Sequence, residues 1–116
     1  YQKALNGIDF LDLPIPKTDY CENIYWVFGV LSRDQGKDAK WWGQKLAAQG
    51  IGTRPFFYPM HKQPCLNHET FKKVELPDSE FLGKYGFYLP SGLTLTQDEV
   101  AKVAHALVSV MEDSDD

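Results

Sequence analysis

The chain of 116 residues has few cysteines, and it has no long apolar run and no excess of basic charge. Cys21 and Cys65 are too few for a disulfide framework and suit a reduced, cytoplasmic setting. No run approaches the roughly 18 apolar residues needed to cross a bilayer, so a membrane partner is not expected. No basic, apolar and small-residue leader opens the sequence. A start at Tyr1 rather than methionine is what a fragment or processed product would show. The formal charge is −4, most of it from the tail Glu112-Asp113-Ser114-Asp115-Asp116, leaving a nearly neutral body without the basic footprint that nucleic acid requires. Glycine-rich phosphate loops are missing too, since Gly83 and Gly86 do not follow a strand signal. Ser91 lacks the flanking glycines of a nucleophile elbow.

What is present is the content of one ordinary globular domain. Tyr1 to Gly7 reads as the last turn of a helix, ended by Asn6-Gly7, because glycine readily takes the left-handed conformation that closes helices. Leu13-Pro14-Ile15-Pro16 reads as an extended linker, each proline removing a backbone donor. Ile24 to Leu31 is apolar, β-branched and aromatic, and predicts a strand. Asp38 predicts the cap of a helix running to about Gln49, with Trp42, Leu46 and Gln49 on its inner stripe and Gly50 beyond its end. Trp41 and Trp42 read as core and interface anchors.

Ile51 to Phe57 predicts a second strand, which Pro55 assigns to an edge or a bend. Asp78-Ser79 predicts the cap of a short helix through Lys84, followed by a brief strand Phe87-Tyr88-Leu89 that Pro90-Ser91-Gly92 stops. Thr96-Gln97-Asp98-Glu99 fits a capping box. Behind it Val100, Val103, Ala104, Leu107, Val108 and Met111 repeat at helical spacing, leaving His105 on the exposed side. The order implies a two-layer α+β domain, helices packed on one face of a small antiparallel or mixed sheet. The expected layout is 1–12 as a helix end and linker, 13–111 as the domain and 112–116 as a disordered acidic tail. The leading turn and the aromatic loop suggest a docking partner.

The segment from Gly50 to Pro64 concentrates the candidate chemistry. Arg54 can hold an anion with two parallel hydrogen bonds, Tyr58 and His61 can bond hydroxyls, and Phe56 or Phe57 can pack on a ring face. The same residues could equally make a surface turn whose aromatics fill the core and whose arginine pairs with an acid. A zinc site from Cys21, His61, Cys65 and His68 is permitted by spacing, but no Cys-x-x-Cys pair supports it. A nucleophilic Cys65 beside His61 or His68 is a lesser alternative.

Three stretches in order carry a resemblance. Glu22-Asn23-Ile24-Tyr25-Trp26-Val27-Phe28-Gly29, the run from Leu46 through Gly50-Ile51-Gly52-Thr53-Arg54-Pro55-Phe56-Phe57-Tyr58-Pro59-Met60-His61-Lys62-Gln63-Pro64, and Tyr88-Leu89-Pro90-Ser91-Gly92-Leu93-Thr94-Leu95-Thr96 resemble the C-terminal part of the DegT/DnrJ/EryC1/StrS sugar aminotransferases. The resemblance implies the small C-terminal domain of the type I pyridoxal-phosphate fold. It implies a parent enzyme that moves an amino group from glutamate to a nucleotide-linked keto sugar, with pyridoxal phosphate as electron sink. The Schiff-base lysine would lie in an N-terminal cofactor domain, so no catalytic residue and no bound cofactor are expected in this chain.

Carried over by position, the resemblance makes Arg54, Tyr58 and His61 contacts to the sugar or its diphosphate, and Phe56 and Met60 parts of the pocket wall. Leu89-Pro90-Ser91-Gly92 would be structural. A homodimer is implied for the full-length parent. A dehydratase parent of the same fold and a stand-alone binding module remain alternatives. The segment Asp34 to Lys37, with Trp41 and Trp42 after it, matches no family motif.

Overall fold

The computed structural model describes residues 1–66 and 74–114. Four strands, β1 (Leu11–Asp12), β2 (Phe28–Ser32), β3 (Arg54–Pro55) and β4 (Gly86–Leu89), form one sheet in the order β1-β2-β4-β3. Every pairing is antiparallel. The helices are α1 (Ala39–Ala48), α2 (Pro77–Tyr85) and α3 (Gln97–Glu112), with two single 3₁₀ turns at Met60–Lys62 and Pro64–Leu66. This is the expected α+β domain, with the sheet wholly antiparallel rather than mixed.

Strand alternation sorts the sheet into two unlike faces. Phe28, Val30 and Ser32 of β2 are buried together with Phe87 and Leu89 of β4. On that face Trp42 of α1 stacks on Phe87 at 5.7 Å and on Phe10 at 5.8 Å. Leu46 of α1 and Val103, Ala104, Ala106, Leu107 and Val110 of α3 complete the core. The indole N–H of Trp42 donates to Ser32 Oγ at 3.0 Å, and that hydroxyl donates to the Asp34 carbonyl at 3.2 Å. Ser32 is the buried polar residue of this core, and both ends of its hydroxyl are satisfied.

Local chemistry sets the helix ends. Asp38 caps α1, its carboxylate accepting from the Trp41 amide at 2.8 Å, and Gly50 takes φ +74 beyond the last turn. Thr96 and Glu99 form the reciprocal capping box at the start of α3. Helix α2 departs from expectation: Pro77 occupies its first turn, after Leu76, and Asp78 lies inside rather than at the cap. Proline is preorganised for that position because it has no N–H to leave unpaired.

Other departures have equally local causes. The strand expected from Ile24 begins only at Phe28, leaving Ile24 89% and Trp26 73% exposed. Asn23 Oδ1 accepts the Tyr25 amide at 2.8 Å, and Tyr25 adopts φ +48, so an Asx turn breaks the extension before the sheet begins. The strand expected over Ile51 to Phe57 pairs only at Arg54–Pro55, on the sheet edge where a proline is tolerated. Gln49 is exposed at the C-cap instead of lining the inner stripe, while Ala106 and Val110 join the stripe of α3. Tyr1 to Gly7 is a hydrogen-bonded turn, with the Leu5 amide on the Tyr1 carbonyl at 2.9 Å and Gly7 at φ +88. Of the acidic tail, residues 115 and 116 lie outside the described residues, and α3 itself runs through Glu112.

Candidate functional site: the open sheet face and the loop on α2

The second face of the sheet carries the loop. In the pairing register Tyr88 stands opposite Gly29 on one side and Arg54 on the other, so these three positions form one row across β2, β4 and β3. Directly paired residues share a face, which puts the Arg54 and Tyr88 side chains side by side. Phe56 leaves the edge with its amide on the Gly86 carbonyl at 2.9 Å. Its ring stacks on Tyr88 at 4.8 Å and 24°. It fits because Gly29 and Gly86 have no side chains: a Cβ would meet the ring at 2.9 Å from Gly29 and at 2.4 Å from Gly86.

The loop then crosses α2. Pro59 is buried against Gly83, where an added Cβ would stand 2.8 Å from the proline ring. His61, its side chain only 7% exposed, brings Nε2 to 3.0 Å from Glu80 Oε1. Lys62 Nζ bonds the other carboxylate oxygen, Oε2. Lys62 and, less strongly, His61 therefore hold the Glu80 carboxyl below its ordinary range. His61 Nδ1 is buried without a hydrogen-bond partner among the described residues. Phe57, Tyr58 and Met60 point outward, Met60 being 70% exposed.

The five candidates thus separate. Arg54 lies exposed at the rim of a groove of about 450 Å³ shared with Tyr88, Gly52, Thr53 and Val27. No hydrogen bond or ion pair engages its guanidinium among the described residues. Phe56 is committed to the Tyr88 stack, Tyr58 and Met60 are exposed on the loop, and His61 is turned onto α2. The arrangement also draws in Gly29, Gly86, Glu80 and Tyr88, to which no sequence motif assigns a site role. The signal for the glycines is their place within or beside strands, which marks close approach of another group. Glu80 gives no signal, being 19 positions from His61.

Cys21 and Cys65 are exposed thiols, and the nearest polar contact of Cys21 is Thr18 Oγ1 at 3.1 Å. His68 lies outside the described residues. Among the described residues no three His, Cys, Asp or Glu side chains gather as a metal site, and no helix is long and apolar enough to cross a membrane.

Pyridoxal phosphate requires a lysine held in an enclosed site beside a phosphate cradle. Lys3, Lys17, Lys40, Lys45, Lys62, Lys84 and Lys102 are exposed, and Lys37 pairs with Asp34 at 3.2 Å. The described residues do not fit that cofactor.

The arrangement, an antiparallel sheet with helices α1 and α3 on its core face and the 56–62 loop on the other, is one found in aminotransferase structures. The aminotransferase TlmJ from Streptoalloteichus hindustanus superimposes with a TM-score of 0.84 at 20% identity, covering 99% of this chain and 30% of that one. The sugar aminotransferase CalS13 from Micromonospora echinospora gives 0.74 at 23% identity, covering 94% and 27%.

Residues 1–108 match the DegT/DnrJ/EryC1/StrS aminotransferase family, and the chain belongs to it. It is 39% identical over 67 residues to the putative pyridoxal phosphate-dependent aminotransferase EpsN of Bacillus subtilis (strain 168), covering 56% of this chain. It is 32% identical over 83 residues to the GDP-perosamine synthase of Escherichia coli O157:H7, covering 72% of this chain. The chain spans 17% and 22% of the length of these two relatives.

Proposed function

We propose that this chain is the substrate-side small domain of an enzyme that transfers an amino group from glutamate to a nucleotide-linked keto sugar of the perosamine type. The reading is carried by family membership over residues 1–108. It is supported by the GDP-perosamine synthase likeness, which spans 72% of the chain. Pyridoxal phosphate and its lysine belong in this reading to a separate cofactor domain of the same cytoplasmic enzyme, which works as a homodimer. The cofactor supplies the electron sink when bound there.

The residues of this chain bind and orient. Arg54 offers a planar cation, unengaged among the described residues, to the diphosphate. Tyr58, on the exposed loop, reaches sugar hydroxyls. His61, with Nε2 on Glu80 and Nδ1 buried, contributes by holding the loop on α2 and so setting where Tyr58 and Met60 stand toward the sugar. Phe56 and Met60 shape the wall, the first from beneath Tyr88 and the second from the loop surface.

The test is transamination by the complete gene product carrying this chain, supplied with pyridoxal phosphate, glutamate and a GDP-linked keto sugar. Formation of 2-oxoglutarate and amino sugar in equal amounts is expected. Arg54→Ala should raise KM for the nucleotide sugar by about tenfold or more, the worth of a hydrogen bond to a charged group, and leave KM for glutamate unchanged. Loss of a sugar hydroxyl without consumption of glutamate would identify a dehydratase instead. Ligand binding without turnover would identify a binding module.

A further inference from the structure

We infer that Tyr88 is a second ligand-contacting residue, which with Arg54 forms a phosphate-binding pair on the open sheet face. The inference rests on the proposed nucleotide-sugar function and adds a residue outside the loop that suggested it. Three observations converge on Tyr88. Its place in β4 directly opposite Arg54 is fixed by the ladder, so the two side chains rise together from rigid backbone rather than from a loop. Its ring is held from beneath by Phe56 at 4.8 Å and braced edge-on by Phe57 at 6.4 Å, which limits where the phenol can point. Both Arg54 and Tyr88 line the same groove of about 450 Å³.

The contrast between the two arginines carries the ligand class. Arg33 is fully engaged, with Nε on Asp12 at 2.7 Å and Nη1 on the Asp9 carbonyl at 3.1 Å. Arg54 and the Tyr88 hydroxyl make no such contacts among the described residues. The other polar groups of the groove are turned to structural duty. Ser91 Oγ accepts the Phe28 amide and donates to the Leu89 carbonyl, both at 2.9 Å. Thr53 Oγ1 lies toward α1, 3.4 Å from where a Cβ on Gly43 would stand. What remains is one guanidinium fork and one phenolic O–H, donors only toward an anion. Phosphate oxygens accept from both, whereas a sugar ring alone would leave the cation unmatched.

The experiment compares Tyr88→Phe and Arg54→Ala in the complete gene product. Tyr88→Phe keeps the ring and its stack, so the fold is retained and only the hydroxyl is lost. The expected result is a rise of about tenfold in KM for the nucleotide sugar, with KM for glutamate unchanged. An unchanged KM in Tyr88→Phe beside a raised one in Arg54→Ala overturns the inference and leaves the functional reading intact. Unchanged KM in both variants of a working transaminase overturns the phosphate pair altogether.

If no transamination occurs, the functional reading fails, and titration of the chain with inorganic pyrophosphate decides the pair separately. Saturable NMR shifts at the Arg54 side chain and the Tyr88 amide, weakened by Tyr88→Phe, support it. Their absence overturns it.

Discussion

Replacing Gly86 by alanine tests the packing on which the open face depends. Gly86 has φ −87 and ψ 137, ordinary extended backbone, so an alanine meets no conformational penalty there. At such a site the reduced freedom of the unfolded chain would by itself stabilise by about 0.4–1 kcal/mol. The obstacle is steric. The new methyl would stand 2.4 and 2.5 Å from two Phe56 ring carbons and 2.6 Å from the Leu82 carbonyl oxygen.

Overpacking of this kind costs about 1–3 kcal/mol, and here part of the obstruction is backbone that cannot rotate aside. A net loss of about 2 kcal/mol is therefore expected for Gly86→Ala. Urea unfolding followed by tryptophan fluorescence measures it, Trp42 being wholly buried against Phe87. Gly29→Ala should cost less, because its methyl meets the far edge of the Phe56 ring at 2.9 and 3.0 Å and the Tyr88 ring at 3.4 Å, side chains rather than backbone. Adding Phe56→Leu should restore most of the loss at Gly29 and only part of it at Gly86, where the carbonyl contact persists. A Gly86→Ala chain as stable as the parent would show that Phe56 does not lie across the sheet as described.

Three further outcomes follow from named contacts. Glu80 is held below its usual range chiefly by Lys62 and then by His61. A carboxyl lowered in the folded state contributes stability that is full above its unfolded value and is lost as pH falls through the folded one. Glu80→Gln should accordingly flatten the acid limb of the thermal midpoint against pH, and an unaltered limb would remove the His61–Glu80–Lys62 contact from consideration. Ser91→Ala leaves the half-buried Phe28 amide without its acceptor and should destabilise by about 1–3 kcal/mol. Hydrogen exchange at that amide should accelerate, and an unchanged rate would show another partner. Thr96→Ala breaks the capping box at α3 and should cost about 1 kcal/mol by thermal melting, with Thr96→Ser recovering most of it. Equal melting of Thr96→Ala and the parent would mean that the cap contributes nothing.

The features that sequence alone determined are those set within a few residues. Asp38, Gly50 and the Thr96–Glu99 box mark helix ends because capping is a contact between neighbours. Pro55 marks the sheet edge because it lacks a donor wherever it stands. The run from Arg54 to His61 stands out by its side-chain types as a candidate for ligand contact, which those types do not separate from a surface turn.

Only tertiary structure decided how that run is shared out. Phe56 turns under Tyr88 because two glycines far apart in sequence make room for its ring. His61 turns onto α2 because Glu80 and Gly83 are presented there by a helix that begins at Pro77. Arg54 remains on the open face because the register pairs it with Tyr88 rather than with an acid. Each of these outcomes depends on pairings across the sheet and packing between layers, which no local spacing specifies.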